Sequence, residues 1–160
     1  MRLRLALAPL ALAFVAGGCA NGGAGNDAAA AAAKTVAVTI TSANGPHVFQ
    51  VERAVTPAEQ ERGLMYRTDL TDTNGMLFWP YPAGGGAPRV ASFWMKNTPS
   101  ALDIVFIRAD GTIAHIAENA VPHDETPLSS EEPVAAVLEV KGGRTSALGI
   151  AEGDKVSWAK

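Results

Sequence analysis

Leu102-Asp103-Ile104-Val105-Phe106-Ile107-Arg108-Ala109-Asp110-Gly111-Thr112-Ile113-Ala114-His115-Ile116-Ala117 is the stretch that decides the fold. Two runs rich in Ile, Val and Phe flank an Asp-Gly pair, the strongest short signal for a β-hairpin. Two turns fit it. A type I turn with a glycine bulge sets Arg108 opposite Thr112 and Val105 opposite His115, leaving Asp103 diagonal to His115. A two-residue type I′ turn at Asp110-Gly111 sets Asp103 opposite Glu118 instead. The first register gathers Leu102, Ile104, Phe106, Ala114 and Ile116 on one apolar face and is preferred for that reason.

Working outward toward the N-terminus, Val90 to Asn97 reads as a strand stopped by Thr98-Pro99, and Tyr81 to Pro88 as a glycine-rich surface loop. Met76 to Trp79 is a short apolar strand closed by Pro80. Thr56 is a good helix N-cap, Pro57 suits the first helical position, and Glu59 places a carboxylate in the first turn. Gly63 ends that helix as a left-handed C-terminal residue would. Val36, Val38 and Ile40 alternate with Ala37 and Thr39, and Val48 to Val55 follows the Asn44-Gly45-Pro46 turn, which predicts another hairpin. Toward the C-terminus, Pro122 to Pro133 is a loop rich in Pro and acids. Val134 to Val140 is a buried strand, Arg144 to Leu148 a short helical turn closed by Gly149, and Lys155 to Trp158 a last strand. Seven or eight short strands with one short helix predict a mainly β domain, a β-rich α+β fold. Its expected form is a small antiparallel barrel or half-open barrel with the helix across one mouth.

The N-terminus reads differently. Arg2 and Arg4 precede an apolar run from Leu5 to Val15, followed by Ala16-Gly17-Gly18-Cys19, an export signal over residues 1–18. The run is shorter than the roughly 20 residues of a transmembrane helix. Cys19 after small residues resembles the lipobox of bacterial lipoproteins, whose thiol is acylated, palmitate being one such chain, and becomes the mature N-terminus. Ala16 stands where leucine is usual, which leaves ordinary signal cleavage as the alternative. Residues 20–33 are low-complexity Ala, Gly and Asn, so 19–33 forms a lipidated tether and 34–160 one domain. The resulting expectation is a lipid-anchored protein of the cell envelope facing the periplasm. Ala20 after the cysteine points to the outer membrane in a Gram-negative host.

Composition narrows the chemistry. Without residues 1–18 the chain carries 11 basic and 16 acidic side chains, which argues against nucleic acid as a partner. With Cys19 lipidated there is no thiol for disulfides or catalysis. His47, His115 and His123 lack the spacing of a zinc site. Met65, Met76 and Met95 are read as core rather than as soft metal ligands. No cofactor or metal is expected. Nucleophile-elbow, phosphate-loop and zinc-protease motifs are missing from the sequence.

Five ordered blocks then carry a resemblance. They are Glu61-Arg62-Gly63-Leu64-Met65-Tyr66-Arg67 with Gly75-Met76-Leu77-Phe78, Phe93-Trp94-Met95-Lys96-Asn97-Thr98, Leu102-Asp103-Ile104-Val105-Phe106, Val137-Leu138-Glu139-Val140, and Gly149-Ile150-Ala151-Glu152-Gly153-Asp154. In that order and spacing the chain is similar to the family catalogued as domain of unknown function 192 (DUF192). The resemblance implies a small β-rich domain, often behind a signal peptide, and implies no reaction. The Gly149–Val156 stretch also resembles a turn used in cradle-loop β barrels.

Three places draw attention as sites. Along a strand through Val90–Asn97, Ser92, Trp94 and Lys96 share one face, an aromatic plane beside an ammonium suited to a sugar, peptide or lipid head group. The competing expectation packs Trp94 under the Gly84–Gly86 loop and pairs Lys96 with a local acid. Asn97, Asp103 and Arg67 complete the candidate ligand set. Asp103, costly in an apolar strand unless paired, fits an oriented base with His115, a shared proton with Glu118, a turn cap after Pro99 or a pair with Lys96. Glu139 is expected in a structural ion pair, with Arg62, Arg67 and Lys96 as possible partners and Arg62 taken as the counter-ion. The functional expectation is an envelope lipoprotein that binds a small ligand or a protein partner without catalysis. The alternatives are a small hydrolase using Asp103 with His115 or Glu118, and a scaffold of a membrane complex.

Overall fold

The Asp110-Gly111 turn forms as the sequence asks. In the computed structural model, which describes residues 35–160, Gly111 N donates to Arg108 O and Arg108 N to Thr112 O, with Gly111 at φ 81°. That is the type I turn with a glycine bulge. It joins β5 (Leu102–Ile107) to β6 (Ile113–Ala120) in antiparallel pairing. The register then slips by one, so that Phe106 rather than Val105 faces His115. Ile113 is the reason: its N–H donates to Asp154 O and its carbonyl accepts from Gly153 N and the Arg108 guanidinium. The slip sends Ile116 away from the expected face. Leu102, Ile104, Phe106 and Ala114 share one core cluster, while Ile116 joins Val105, Ile107 and Ile113 in the other.

The remaining elements are β1 (Thr35–Ser42), β2 (Gly45–Ala54), α1 (Pro57–Arg62), β3 (Asn74–Phe78), β4 (Arg89–Phe93), β7 (Leu128–Val134), β8 (Ala136–Lys141), α2 (Arg144–Leu148) and β9 (Lys155–Trp158). Seven strands form one curled sheet in the order β6-β5-β8-β3-β2-β1-β9, antiparallel except for β2 with β3. The two ends of this sheet meet where Thr112 bridges Lys155 and Val156 N donates to Gly111 O, giving a half-barrel. β4 and β7 pair separately as a two-stranded ribbon. The sheet therefore buries both faces, and the two core clusters lie on opposite sides of β8. Ala136, Leu138 and Val140 point into one and Val137 into the other. Among the described residues no helix is long and apolar enough to cross a membrane.

Four local expectations need correction. The Pro122–Pro133 loop contains most of β7, and the expected single strand Val134–Val140 is broken between β7 and β8. The Val90–Asn97 strand ends at Phe93, because Thr98 N turns back to Met95 O and Asn97 sits at φ 53°. Among the described residues there are also two short helices rather than one. Cys19, the export signal and the tether lie outside the described residues.

α1 starts as predicted. The Thr56 hydroxyl accepts from Glu59 N, and the Glu59 carboxylate accepts from Thr56 N and Val55 N, a reciprocal capping box. The helix buries none of its residues, so its ends do much to hold it. Thr56→Ala is expected to cost about 1 kcal/mol, read by urea denaturation. At the other end Gly63 adopts φ 47° and ψ −134°, a positive φ but not the left-handed helical conformation. A Cβ there would stand 3.1 Å from the Phe78 ring and 3.6 Å from Glu139 Oε2, so glycine lets α1 come down onto the sheet.

Candidate functional site

α1 and the loop after β3 are laced together by Gln60. Its amide nitrogen donates to Ala54 O and Pro80 O, and its oxygen accepts from Ala83 N. Between them opens a cleft of ≈ 540 Å³, within the range of small-ligand sites. Phe78 and Phe93 meet edge to face at 5.0 Å and Tyr81 lies 5.8 Å from Phe93, forming an aromatic wall. Trp94 stands at the mouth, 46% exposed, and Lys96 Nζ lies 5.1 Å over its ring. Arg62 and Arg89 are exposed on the lining, with the Arg89 guanidinium 5.4 Å over Tyr81. Glu61 contributes an acidic group to the lining.

Glu139 closes the floor. It is 4% exposed on β8, with Met76 and Ile104 as its strand neighbours, and its Oε2 has no hydrogen-bond partner. Burial pushes its carboxyl up to about 8, opposed only in part by the Leu64 backbone N–H. The expected ion pair with Arg62 does not form. The Gly63 bend sets the Arg62 side chain on the outer surface of α1, while Glu139 points beneath that bend.

The other sequence candidates are placed as follows. Lys96 pairs with neither Asp103 nor Glu139 but lies on Trp94, so Lys96→Ala is expected to change stability by less than about 1 kcal/mol in a thermal melt. Asn97 lies outside the cleft lining and serves through its carbonyl, which accepts from Tyr66 N. Arg67 is not free for a ligand. Its guanidinium is held by Asp69 at 2.7 Å and Glu52 at 2.9 Å on the other side of the Gly63–Met65 rib, and the Asp69 hydrogen bond is the largest influence keeping it charged.

Asp103 does not line this cleft. It is wholly buried, and its oxygens accept from Asn119 N, Gly143 N, Thr145 N and Thr145 Oγ1 at 2.8–2.9 Å. Gly143 offers α2 no side-chain cap, and Asp103 supplies one from the neighbouring strand. His115 instead meets Glu152 at 2.8 Å and stacks on Phe106, about three residues along the ladder from Asp103. Glu118 is exposed on β6. The carboxylate and histidine of the expected hydrolase therefore do not converge.

Sequence reasoning missed Gln60, Phe78, Tyr81, Phe93 and Arg89 as parts of a site. The signal for some of them was the grouping of the blocks. Glu61-Arg62-Gly63-Leu64-Met65, Phe78, Phe93-Trp94, Thr98 and Glu139 come from four separate stretches and line one cleft.

The DUF192 family model, described as "Uncharacterized ACR", matches residues 38–158. A crystal structure of a protein of unknown function from Novosphingobium aromaticivorans DSM 12444 is 51% identical, with a TM-score of 0.72 over 78% of this chain and 85% of that one. A protein from Sinorhizobium meliloti 1021, described as a "putative transcription regulator", is 44% identical, with a TM-score of 0.71 over 78% of this chain and 93% of that one. None of the curated proteins matches.

Proposed function

The chain belongs to the DUF192 family, and on that premise we propose that it is an envelope lipoprotein whose β domain binds a small ligand without turning it over. The cleft under α1 is the binding site. The observation that carries this reading is the Glu139 carboxyl, buried at the floor of a ≈ 540 Å³ cleft with an oxygen that nothing in the protein bonds. Buried polar atoms are nearly always satisfied, so an unpartnered carboxyl on the lining of a cleft is where a ligand atom would complete the bonding. Trp94 at the mouth and the Phe78–Phe93–Tyr81 wall supply the apolar contact that fixes a small molecule beside it.

The Sinorhizobium protein is described as a "putative transcription regulator", but a formal net charge of −3 argues against nucleic acid as a partner of this chain. The anchor rests on the sequence alone. Residues 1–18 read as an export signal before Cys19 and residues 19–33 as a tether, which supports a lipid anchor on a membrane facing the periplasm.

Two measurements test the reading. Cys19→Ser is expected to move the protein from the membrane to the soluble fraction, and a variant that stays membrane-bound like wild type removes the lipoprotein. In thermal-shift titrations of the detergent-purified chain with small aromatic acids, amines and amides, at least one is expected to raise the melting temperature. That shift should vanish in Trp94→Ala. Failure of every compound, or an unchanged shift in the variant, removes the binding site.

A further inference from the structure

The polar groups of the cleft fall into two poles that do not neutralise each other. At the floor, Glu139 is enclosed by Met76, Ile104, Phe78 and the Gly63 bend, and no cation contributes to its protonation equilibrium. At the mouth, Arg62 and Arg89 have no carboxylate partner among the described residues, and Lys96 adds a third positive charge over Trp94. Among the described residues that line the cleft, Glu61 is the one acid besides Glu139. Phe78, Phe93 and Tyr81 line the same cleft.

We propose that the cleft takes a small organic anion carrying a neutral hydrogen-bond acceptor at its far end, such as a keto or acyl carboxylate. Arg62 and Arg89 hold the anion at the mouth, and the Glu139 carboxyl donates to the acceptor at the floor. This rests on the ligand-binding reading of the cleft and adds the chemistry of the ligand. An excess of positive charge at the rim draws a carboxylate in and disfavours an amine. A flat, apolar body fits between the poles against Phe93 and Tyr81. At neutral pH the carboxyl keeps its proton, so its vacant oxygen site is served by an acceptor on the ligand rather than by a second cation.

The pH dependence follows from the groups that face Glu139. β3 and β5 present only apolar side chains to it, the Gly63–Leu64 bend presents backbone, and Glu61, Arg62 and Arg89 stand at the rim. Burial pushes the Glu139 carboxyl up to about 8, within the range of neutral to mildly alkaline pH. Affinity for the acceptor end is lost as pH rises through that range.

The test uses the full chain in detergent with three matched probes, 4-acetylbenzoate, 4-ethylbenzoate and 4-acetylbenzylamine, titrated by calorimetry. 4-Acetylbenzoate is expected to bind about tenfold more tightly than 4-ethylbenzoate near pH 6, the worth of one hydrogen bond in a dry site, with the gap closing near pH 10. Glu139→Gln keeps a donor that does not titrate, so in that variant the gap should persist at the higher pH. Arg62→Ala with Arg89→Ala, both surface changes, should weaken the two carboxylates by about tenfold each. Binding of the amine as tightly as its carboxylate counterpart overturns the proposal and leaves the cleft a binding site of another class. Binding of none of the three overturns both the proposal and the reading beneath it.

Discussion

Asp103→Ala is expected to lower the unfolding free energy by about 4 kcal/mol in urea titrations near neutral pH. The carboxylate is wholly buried and accepts three backbone N–H groups and one hydroxyl. Deleting it strands the buried Thr145 amide and hydroxyl and leaves the part-buried Asn119 and Gly143 amides without their acceptor, at about 1–3 kcal/mol for each buried donor, and the losses are not additive because the groups relax together. α2 also loses the negative charge at its first turn, and Gly143 has no side chain to replace it. Asp103→Asn should recover about half of the loss. Its oxygen still serves one set of donors, while its amide opposes the other. Thr145→Val, which removes the one donor that can be deleted without stranding another, should cost only about 1 kcal/mol. A loss below about 1 kcal/mol for Asp103→Ala would show that the network is satisfied by water and that α2 needs no cap.

The same residue shows how far the sequence could be read. That Asp103 is anomalous in its strand is visible at once, because a carboxylate among Leu, Ile, Val and Phe must be compensated. Its partners lie 16, 40 and 42 residues away and are mostly backbone amides, which leave no trace in side-chain identity. The hairpin around Gly111 was legible because its turn is a local device, whereas the slip at Ile113 is imposed by bonds to Gly153 and Asp154. β7 was hidden by its own composition. Pro133 sits in a two-stranded ribbon opposite Val90, a setting that tolerates proline, and Ser130 Oγ accepts from Ala91 N where the ladder slips. The cleft could be sensed only as the grouping of short blocks. Trp94 was found by its alternation with Lys96, yet the two meet because the chain leaves the strand after Phe93, not because they share a strand face.

Glu139 gives the protein a stability that falls as pH rises, opposite in sign to that of an ordinary paired carboxylate. Its carboxyl titrates near 4.5 when solvated and is pushed up to about 8 by burial in the folded chain. Below the first value both states hold the proton. Between the two values the unfolded chain releases it and the folded chain keeps it, so unfolding becomes easier by about 1.4 kcal/mol per pH unit. Above about 8 both states are ionised, and the dependence ends with a total on the order of 5 kcal/mol lost. The carboxyls of Asp69, Asp72, Asp110 and Asp124 are held below their usual range, by Arg67, Lys141, Thr112 and Thr126 respectively. They act with the other sign and at lower pH. Their contribution is present above their solvated values and is lost as pH falls, so it does not overlap the window of Glu139. Glu139→Gln isolates the effect, because every other group is common to the two proteins. The variant is expected to gain on wild type steadily from about pH 5 to about pH 8, measured as the difference in urea-unfolding free energy. Parallel curves across that window would mean that water or an internal donor already satisfies the Glu139 oxygen. The floor of the cleft would then have nothing to offer a ligand.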